Sequence, residues 1–306
     1  MVRTMSAHVA HPLDVAVEGG TLHAIVWEPV DEVLGEVVLV HGVTSSLHAW
    51  DDVVPLLPGY RLIAPDLRGR GASNGITHPA GMAAHAADLA ALLDAANVTS
   101  SLVVGHSMGA FVSLAFAYLC PERVSRLLLI DGGLPLDVPA GLDTDTLVAA
   151  ILGPTAERLS RRFASVDDYL DFWRVHPAFR DDWSATLEDY LAYDLVDDGA
   201  GMLRPATSYE ITAADTLDMN TGDVLPAALA ALAHPTRFLT VPRGLQNEEP
   251  GLYAPDYLER LLPTVPGVVH SRIPGFNHYT IVLSGGGAAI VAAEIREQVA
   301  AASDSV

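Results

Sequence analysis

Gly105-His106-Ser107-Met108-Gly109 lies between an apolar run, Ser101 to Val104, and a helix-compatible run, Ala110 to Cys120. A G-x-S-x-G turn from strand to helix presents a serine hydroxyl at a sharp corner above a sheet. A serine held in a disfavoured φ/ψ region stores roughly 1–3 kcal/mol of strain. Gly105 and Gly109, lacking Cβ, let the strand and helix approach each other. The chemistry of such a corner is nucleophilic, and a serine hydroxyl needs a base within hydrogen-bond reach. His278 is the candidate base. It follows the run Val268 to Ile273, in Ile273-Pro274-Gly275-Phe276-Asn277-His278. Loops at the carboxyl edge of a parallel sheet are where catalytic groups gather. A third group must orient the imidazole and stabilise the imidazolium. Asp131 ends the apolar run Leu128-Leu129-Ile130, and a carboxylate there is costly to bury without a partner. It is a candidate acid; it could also simply cap the turn that follows.

The remaining chemistry-bearing residues read as support. Asp66, Arg68 and Arg70 form a charged cluster after a strand, expected to brace a neighbouring loop. His41 and His106 flank motif positions and read as structural. His23, His48, His78, His85, His234 and His270 show no metal-ligand spacing and read as solvent or core histidines; nucleophilic serine chemistry needs neither a metal nor an organic cofactor, and none is expected. Cys120, the single cysteine, excludes an internal disulfide and reads as a buried structural thiol. Gly285-Gly286-Gly287 reads as a short connection at the start of a helix, not as a phosphate loop.

These residues need a scaffold. Leu13 to Val17 and Leu22 to Trp27 flank Gly19-Gly20 and read as an antiparallel hairpin. Glu36 to His41, Tyr60 to Pro65, Ser101 to Val104 and Arg126 to Ile130 are short, continuously apolar runs. Helical patterns at Trp50 to Leu57, Met82 to Ala96 and Met108 to Cys120 separate them. Unbroken apolar strands alternating with helices mean a parallel sheet covered on both faces. From 132 to about 235 the rhythm stops. Helices are expected at Leu147 to Leu152, Val166 to Arg174 and Asp181 to Tyr193, amid many aromatics. The rhythm resumes with a strand at Arg237 to Val241, a helix at Tyr253 to Leu262, a strand at Val268 to Ile273 and a helix at Ala288 to Ala301. The expected domains are therefore a core, 1–131 with 236–306, and a helical insertion, 132–235.

Length and composition bound the partners. The chain has 306 residues, half of them hydrophobic, and a net charge of −21. All 17 basic residues are arginine. Such a negative field repels a phosphate backbone, so nucleic acid is not an expected partner. No apolar h-region opens the chain and no run reaches the 18 or so apolar residues of a membrane span. A soluble cytoplasmic protein, monomer or homodimer, is the expectation.

Four motifs in order carry a resemblance: Val38-Leu39-Val40-His41-Gly42, Pro65-Asp66-Leu67-Arg68-Gly69-Arg70-Gly71, the turn at Ser107, and Asn277-His278-Tyr279. Over essentially its whole length the chain resembles the α/β-hydrolases. The resemblance implies an α/β fold with a mostly parallel eight-stranded sheet and a helical cap at 132–235. It also implies a catalytic triad in the chain order serine, acid, histidine. The oxyanion hole would be the backbone N–H of Met108 and that of Val43, aimed by Gly42. Many α/β-hydrolases place the acid after the seventh strand in a G-x-x-D pattern. Here Asn247 stands at that place in Gly244-Leu245-Gln246-Asn247-Glu248-Glu249. Another branch places it after the sixth strand, where Asp131 lies, so the resemblance makes Asp131 the preferred acid and Glu248 the alternative. That layout is similar to the lactone hydrolases that open the macrocycle zearalenone. The implied activity is hydrolysis of a small hydrophobic carboxylic ester or lactone. Most of Phe172, Trp173, Trp183 and Tyr190 would pack the cap itself, with a minority facing the ligand. Carbon–carbon bond hydrolases and cofactor-free perhydrolases keep the serine and remain alternatives, as does a non-catalytic ligand receptor. Haloalkane dehalogenases and epoxide hydrolases of this fold use an aspartate nucleophile, and Ser107 argues against both.

Overall fold

The computed structural model describes residues 7–137, Thr146 and 157–303. Its centre is an eight-stranded sheet. The strands are β1 (His8–Val17), β2 (Gly20–Pro29), β3 (Gly35–Val40), β4 (Tyr60–Pro65), β5 (Ser101–His106), β6 (Val124–Ile130), β9 (Thr236–Thr240) and β10 (Val268–Arg272). A separate two-stranded ribbon is formed by β7 (Leu195–Asp197) and β8 (Leu203–Pro205). The order across the large sheet is β1-β2-β4-β3-β5-β6-β9-β10. The pairs β1–β2 and β2–β4 are antiparallel and the remaining pairs parallel. The chain has the α/β-hydrolase fold that the sequence implies.

The continuous apolar runs explain the layering. Successive strand residues point to opposite faces. Val38, Val40, Val103, Leu127 and Leu129 therefore pack on one face, beneath α1 (Met82–Ala95) and α2 (Met108–Leu119). Val37, Leu39, Leu102, Val104, Leu128 and Ile130 pack on the other, against Val291 and Ile295 of the helix Gly285–Ser303. Each such fully buried aliphatic side chain contributes about 1.5–3 kcal/mol.

Several expected elements change shape. Trp50 to Leu57 is not one helix; it forms two 3₁₀ turns, Leu47–Trp50 and Val54–Leu56. Pro55 lacks the N–H that a continuous α-helix would require there. Cys120 is only partly buried and ends α2, so it is not a core thiol. Partial burial still raises its pKa. Gly285–Gly287, expected at the entry to a helix, is the first turn of the last helix itself.

Between Asp131 and Thr236 the described residues are mainly helical. Val166–Arg174 has the expected bounds and is capped by Ser165, whose side chain accepts the Asp168 N–H. The next helix is Ala185–Tyr193, shorter than the expected start at Asp181, because Ser184 caps it by accepting the Leu187 N–H. The expected helix Leu147 to Leu152 lies outside the described residues. Two further helices, Tyr209–Thr221 and Val224–Ala230, were not expected. The first buries Ile211, Thr212, Asp215 and Thr216. A buried stripe that is three-quarters polar has no hydrophobic period to read.

Candidate active site

Register brings the candidate residues together. β5 pairs with β6 so that His106 lies opposite Ile130. The next residues of both strands, Ser107 and Asp131, therefore leave the sheet side by side. Both take positive φ, 56° and 45°, a region that is uncommon for residues with a Cβ. The Ser107 N–H donates to the Ile130 carbonyl at 2.9 Å and the Asp131 N–H to that of Leu239 at 2.8 Å. These bonds fix both turns. His278 arrives from beyond β10, its N–H donating to the Arg243 carbonyl at 2.9 Å.

The three side chains form one hydrogen-bonded chain. The Ser107 hydroxyl lies 3.0 Å from His278 Nε2, and His278 Nδ1 lies 2.7 Å from Asp131 Oδ2. Asp131 is fully buried and His278 nearly so. With Nδ1–H donating to the carboxylate, Nε2 is left as the acceptor facing the serine. Glu248 is not part of this arrangement. Its Oε2 accepts the Gln246 N–H at 2.6 Å, inside its own turn. Asn247 accepts from the Asn277 side-chain amide at 3.1 Å. That contact ties the seventh-strand loop to the residue before His278, a supporting role in place of a carboxylate.

The motif glycines sit where the chain crowds itself. A Cβ on Gly109 would press on the carbonyls of Val40 and His41, and one on Gly105 on the backbone of Gly109 and Ala110. Gly42 faces the Ser107 side chain, where an added Cβ would lie 3.2 Å from the Ser107 Cβ. Gly132, which the sequence reading passed over, meets the Ser107 backbone in the same way. Gly109→Ala is expected to destabilise the protein by about 2 kcal/mol or more, since backbone blocks the methyl group. An urea midpoint equal to wild type would contradict that packing.

Val43 and Met108 line the cleft beside Ser107. Met108 is the first residue of α2, a position whose N–H has no intrahelical acceptor. One buried guanidinium braces both. Arg70 Nε donates to the Val43 carbonyl at 2.8 Å, and its Nη2 lies 3.9 Å from Met108 Sδ. Its Nη1 donates to Asp215 Oδ2 at 2.5 Å. Asp215 also accepts from His85 and from the Gly81 N–H. Burial opposes ionisation of Asp215, but the charges of His85 and Arg70 hold its carboxyl below the usual carboxylate range. Arg68 is filled by Asp88 in a two-pronged pair at 2.8 and 2.6 Å. Asp66 accepts the N–H groups of Leu47 and Ala72 and the Tyr193 hydroxyl. The expected bracing cluster is present. Asp215 and Tyr193, from the segment between β6 and β9, were the unseen half of it. No local pattern could have paired residues so distant in sequence.

His41 and His106 take structural posts. His41 Nε2 accepts the Leu67 N–H at 2.9 Å, while Nδ1 donates to the Gly42 carbonyl at 2.8 Å. Burial, with a smaller contribution from the Arg70 charge, lowers its pKa to about 3. His106 Nε2 donates to the His278 carbonyl at 2.8 Å. Burial and then the neighbouring His278 hold it well below the ordinary value. Both histidines bind protons more readily unfolded than folded. Below about pH 6.5 the unfolded chain therefore gains protons that the folded one does not. Stability should fall as pH drops below 6.5, with His41 contributing about 1.4 kcal/mol per pH unit down to about pH 3 and His106 acting in the same direction. Urea midpoints across that window check this, and a flat profile would contradict it.

The cleft opens beside Ser107, His278 and Asp131. Its walls are mostly apolar, with Phe111, Leu136, Met219, Leu245, Leu252 and Val282 among them. Of Phe172, Trp173, Trp183 and Tyr190, only Tyr190 lines it. Trp173 instead packs edge-on against Tyr169, Phe172 and Phe179. Among the described residues no group of three His, Cys, Asp or Glu could hold a metal ion. Among them, no helix is long and apolar enough to cross a membrane.

Comparison with known proteins gives three kinds of likeness. The alpha/beta hydrolase fold family matches residues 36–173. The 2-hydroxy-6-oxo-2,4-heptadienoate hydrolase of Pseudomonas putida is 40% identical over 115 residues, 35% of this chain and 41% of that protein. Epoxide hydrolase B of Mycobacterium tuberculosis is 33% identical over 114 residues, 36% and 32% of the two chains. The chain spans about a third of the length of the curated relatives it matches first. Among solved structures, the peroxisomal alpha-beta-hydrolase Lpx1 of Saccharomyces cerevisiae superposes with a TM-score of 0.72 at 16% identity. That superposition covers 98% of this chain and 90% of the yeast protein.

Proposed function

We propose that this chain, which has the alpha/beta hydrolase fold, is a serine hydrolase of hydrophobic carboxylic esters or lactones. The observation that carries the reading is the unbroken chain Ser107–His278–Asp131, at 3.0 and 2.7 Å. In this reading the segment between β6 and β9 acts as a cap over the cleft.

The steps follow from the geometry. His278 Nε2 takes the Ser107 proton as Oγ attacks the carbonyl carbon. The oxyanion develops against the N–H groups of Val43 and Met108, each such donor being worth about 2.7–4 kcal/mol. Asp131 stabilises the imidazolium and holds its tautomer. His278 then protonates the leaving alkoxide, and the acyl group stays on Ser107. Water, deprotonated by His278, cleaves the acyl-enzyme and restores the serine. These steps call on no metal or organic cofactor.

The test is covalent. A fluorophosphonate probe should label Ser107, and p-nitrophenyl esters should give turnover or an acyl burst. Tight small-molecule binding with neither signal would make the protein a receptor on a hydrolase scaffold. A second reading rests on the Pseudomonas relative, whose name is that of a hydrolase of 2-hydroxy-6-oxo-2,4-heptadienoate. Cleavage of such a dienoate with no ester turnover would favour carbon–carbon bond hydrolysis on the same three residues.

A further inference from the structure

A second, smaller cavity adjoins the main cleft and shares Thr44, Ser45, Tyr190 and Tyr279 with it. Arg158 lines this side cavity and is only 1% exposed. Its Nη1 donates to the Tyr169 hydroxyl at 2.6 Å and to Asp194 Oδ2. Asp194 therefore already balances its charge. The other edge of the guanidinium is underused. Among the described residues Nε has no hydrogen-bond partner, and Nη2 reaches only the Thr44 carbonyl at 3.5 Å. The Ser46 hydroxyl, which lines the same cavity and is 3% exposed, also lacks a partner among them.

Two other arginines show what that edge normally does. Arg68 places Nε and Nη2 on the two oxygens of Asp88, at 2.8 and 2.6 Å. Arg237 does the same with Glu294, at 2.8 and 2.9 Å. The Nε–Nη2 edge is a planar fork that fits one or two oxygen acceptors. Buried donors without partners are rare and each calls for an explanation.

We propose that the Arg158 Nε–Nη2 edge and the Ser46 hydroxyl form a subsite for an oxygen acceptor on the substrate, remote from the scissile carbonyl. The inference rests on the ester reading above and names its substrate class: esters or lactones whose hydrophobic body carries a second oxygen function. A ketone or amide carbonyl and a carboxylate share the chemistry that the fork recognises. Asp194 balances the guanidinium, so the ligand need not be charged.

The test separates binding from turnover. Ser107→Ala protein is titrated calorimetrically with ethyl esters of four- to eight-carbon acids. Each acid ends in a methyl group, a methyl ketone or a carboxylate. At the length that spans the two cavities, at least one oxygenated ester should bind about tenfold more tightly than its hydrocarbon counterpart. The ketone and carboxylate arms tell a neutral acceptor from an anion. Adding Arg158→Lys keeps a cation beside Asp194 but removes the fork, and should erase the advantage. Ser46→Ala, which leaves the ion pair intact, should reduce it. Equal binding of oxygenated and plain esters at every length would overturn the subsite, as would an advantage that survives Arg158→Lys. Turnover of the same esters by the wild-type enzyme is read separately. If none is cleaved while the binding advantage persists, the ester reading falls and the subsite stands.

Discussion

Ser107→Ala should lower kcat on any ester the protein hydrolyses by about 10⁴–10⁶-fold, by analogy with other serine triads. The fold should not suffer. The hydroxyl is a small group at the rim of a cleft, and the backbone bonds that fix the turn remain, including the Ser107 N–H to the Ile130 carbonyl. Alanine keeps the Cβ, so the cost of φ at 56° is unchanged. Burst kinetics and a thermal melt on the same preparation check both halves. An alanine variant with full turnover would remove the nucleophile from the mechanism, and one that fails to fold would leave the activity loss without a chemical meaning.

Asp131→Asn should cost about 10⁴-fold in kcat, while Glu248→Gln should leave kcat within about twofold of wild type. The difference comes from the hydrogen that each group offers His278. The Asp131 carboxylate can only accept, so it holds the proton on Nδ1, 2.7 Å away, and leaves Nε2 free to face the serine. An asparagine can turn its N–H₂ toward Nδ1 and stabilise the opposite tautomer. In that tautomer Nε2 carries the hydrogen and cannot take one from Ser107. Asparagine also offers no charge to the imidazolium. Glu248 holds the Gln246 N–H instead, so its neutralisation should be felt only in its own turn. The pH dependence of kcat for both variants against wild type decides this. Should Glu248→Gln be the crippled variant, the acid assignment is reversed.

The parts of the site that were legible in the sequence are the local ones. The turn at Ser107 is written in five consecutive residues, because only glycines on either side allow strand and helix to come so close. The sheet strands were legible because a strand buried on both faces must be apolar throughout. What eluded the sequence had no local signature. The helix Tyr209–Thr221 buries a polar stripe, Thr212, Asp215 and Thr216, so its period is invisible to hydrophobicity. Asp215 is buried because Arg70 and His85 are waiting for it from elsewhere in the chain. Trp50 to Leu57 looked helical by composition, yet Pro55 limits it to short turns.

By itself the sequence determined the candidate nucleophile and its candidate base, and the layered α/β sheet that carries them. Each depends on residue type and on neighbours a few positions away. Tertiary structure decided which carboxylate meets His278, which aromatic from the segment between β6 and β9 reaches the cleft, and which buried arginine keeps an unpaired Nε. Asp131 joins the serine because the register sets His106 opposite Ile130, so the next residue of each strand emerges at the same place. Tyr190 lines the cleft, while Trp173 packs among Tyr169, Phe172 and Phe179. Arg158 leaves its Nε without a partner among the described residues because Asp194 and the Tyr169 hydroxyl both take Nη1. Such choices are made by groups far apart in the chain competing for the same few ångströms. Composition and spacing carry no record of that competition.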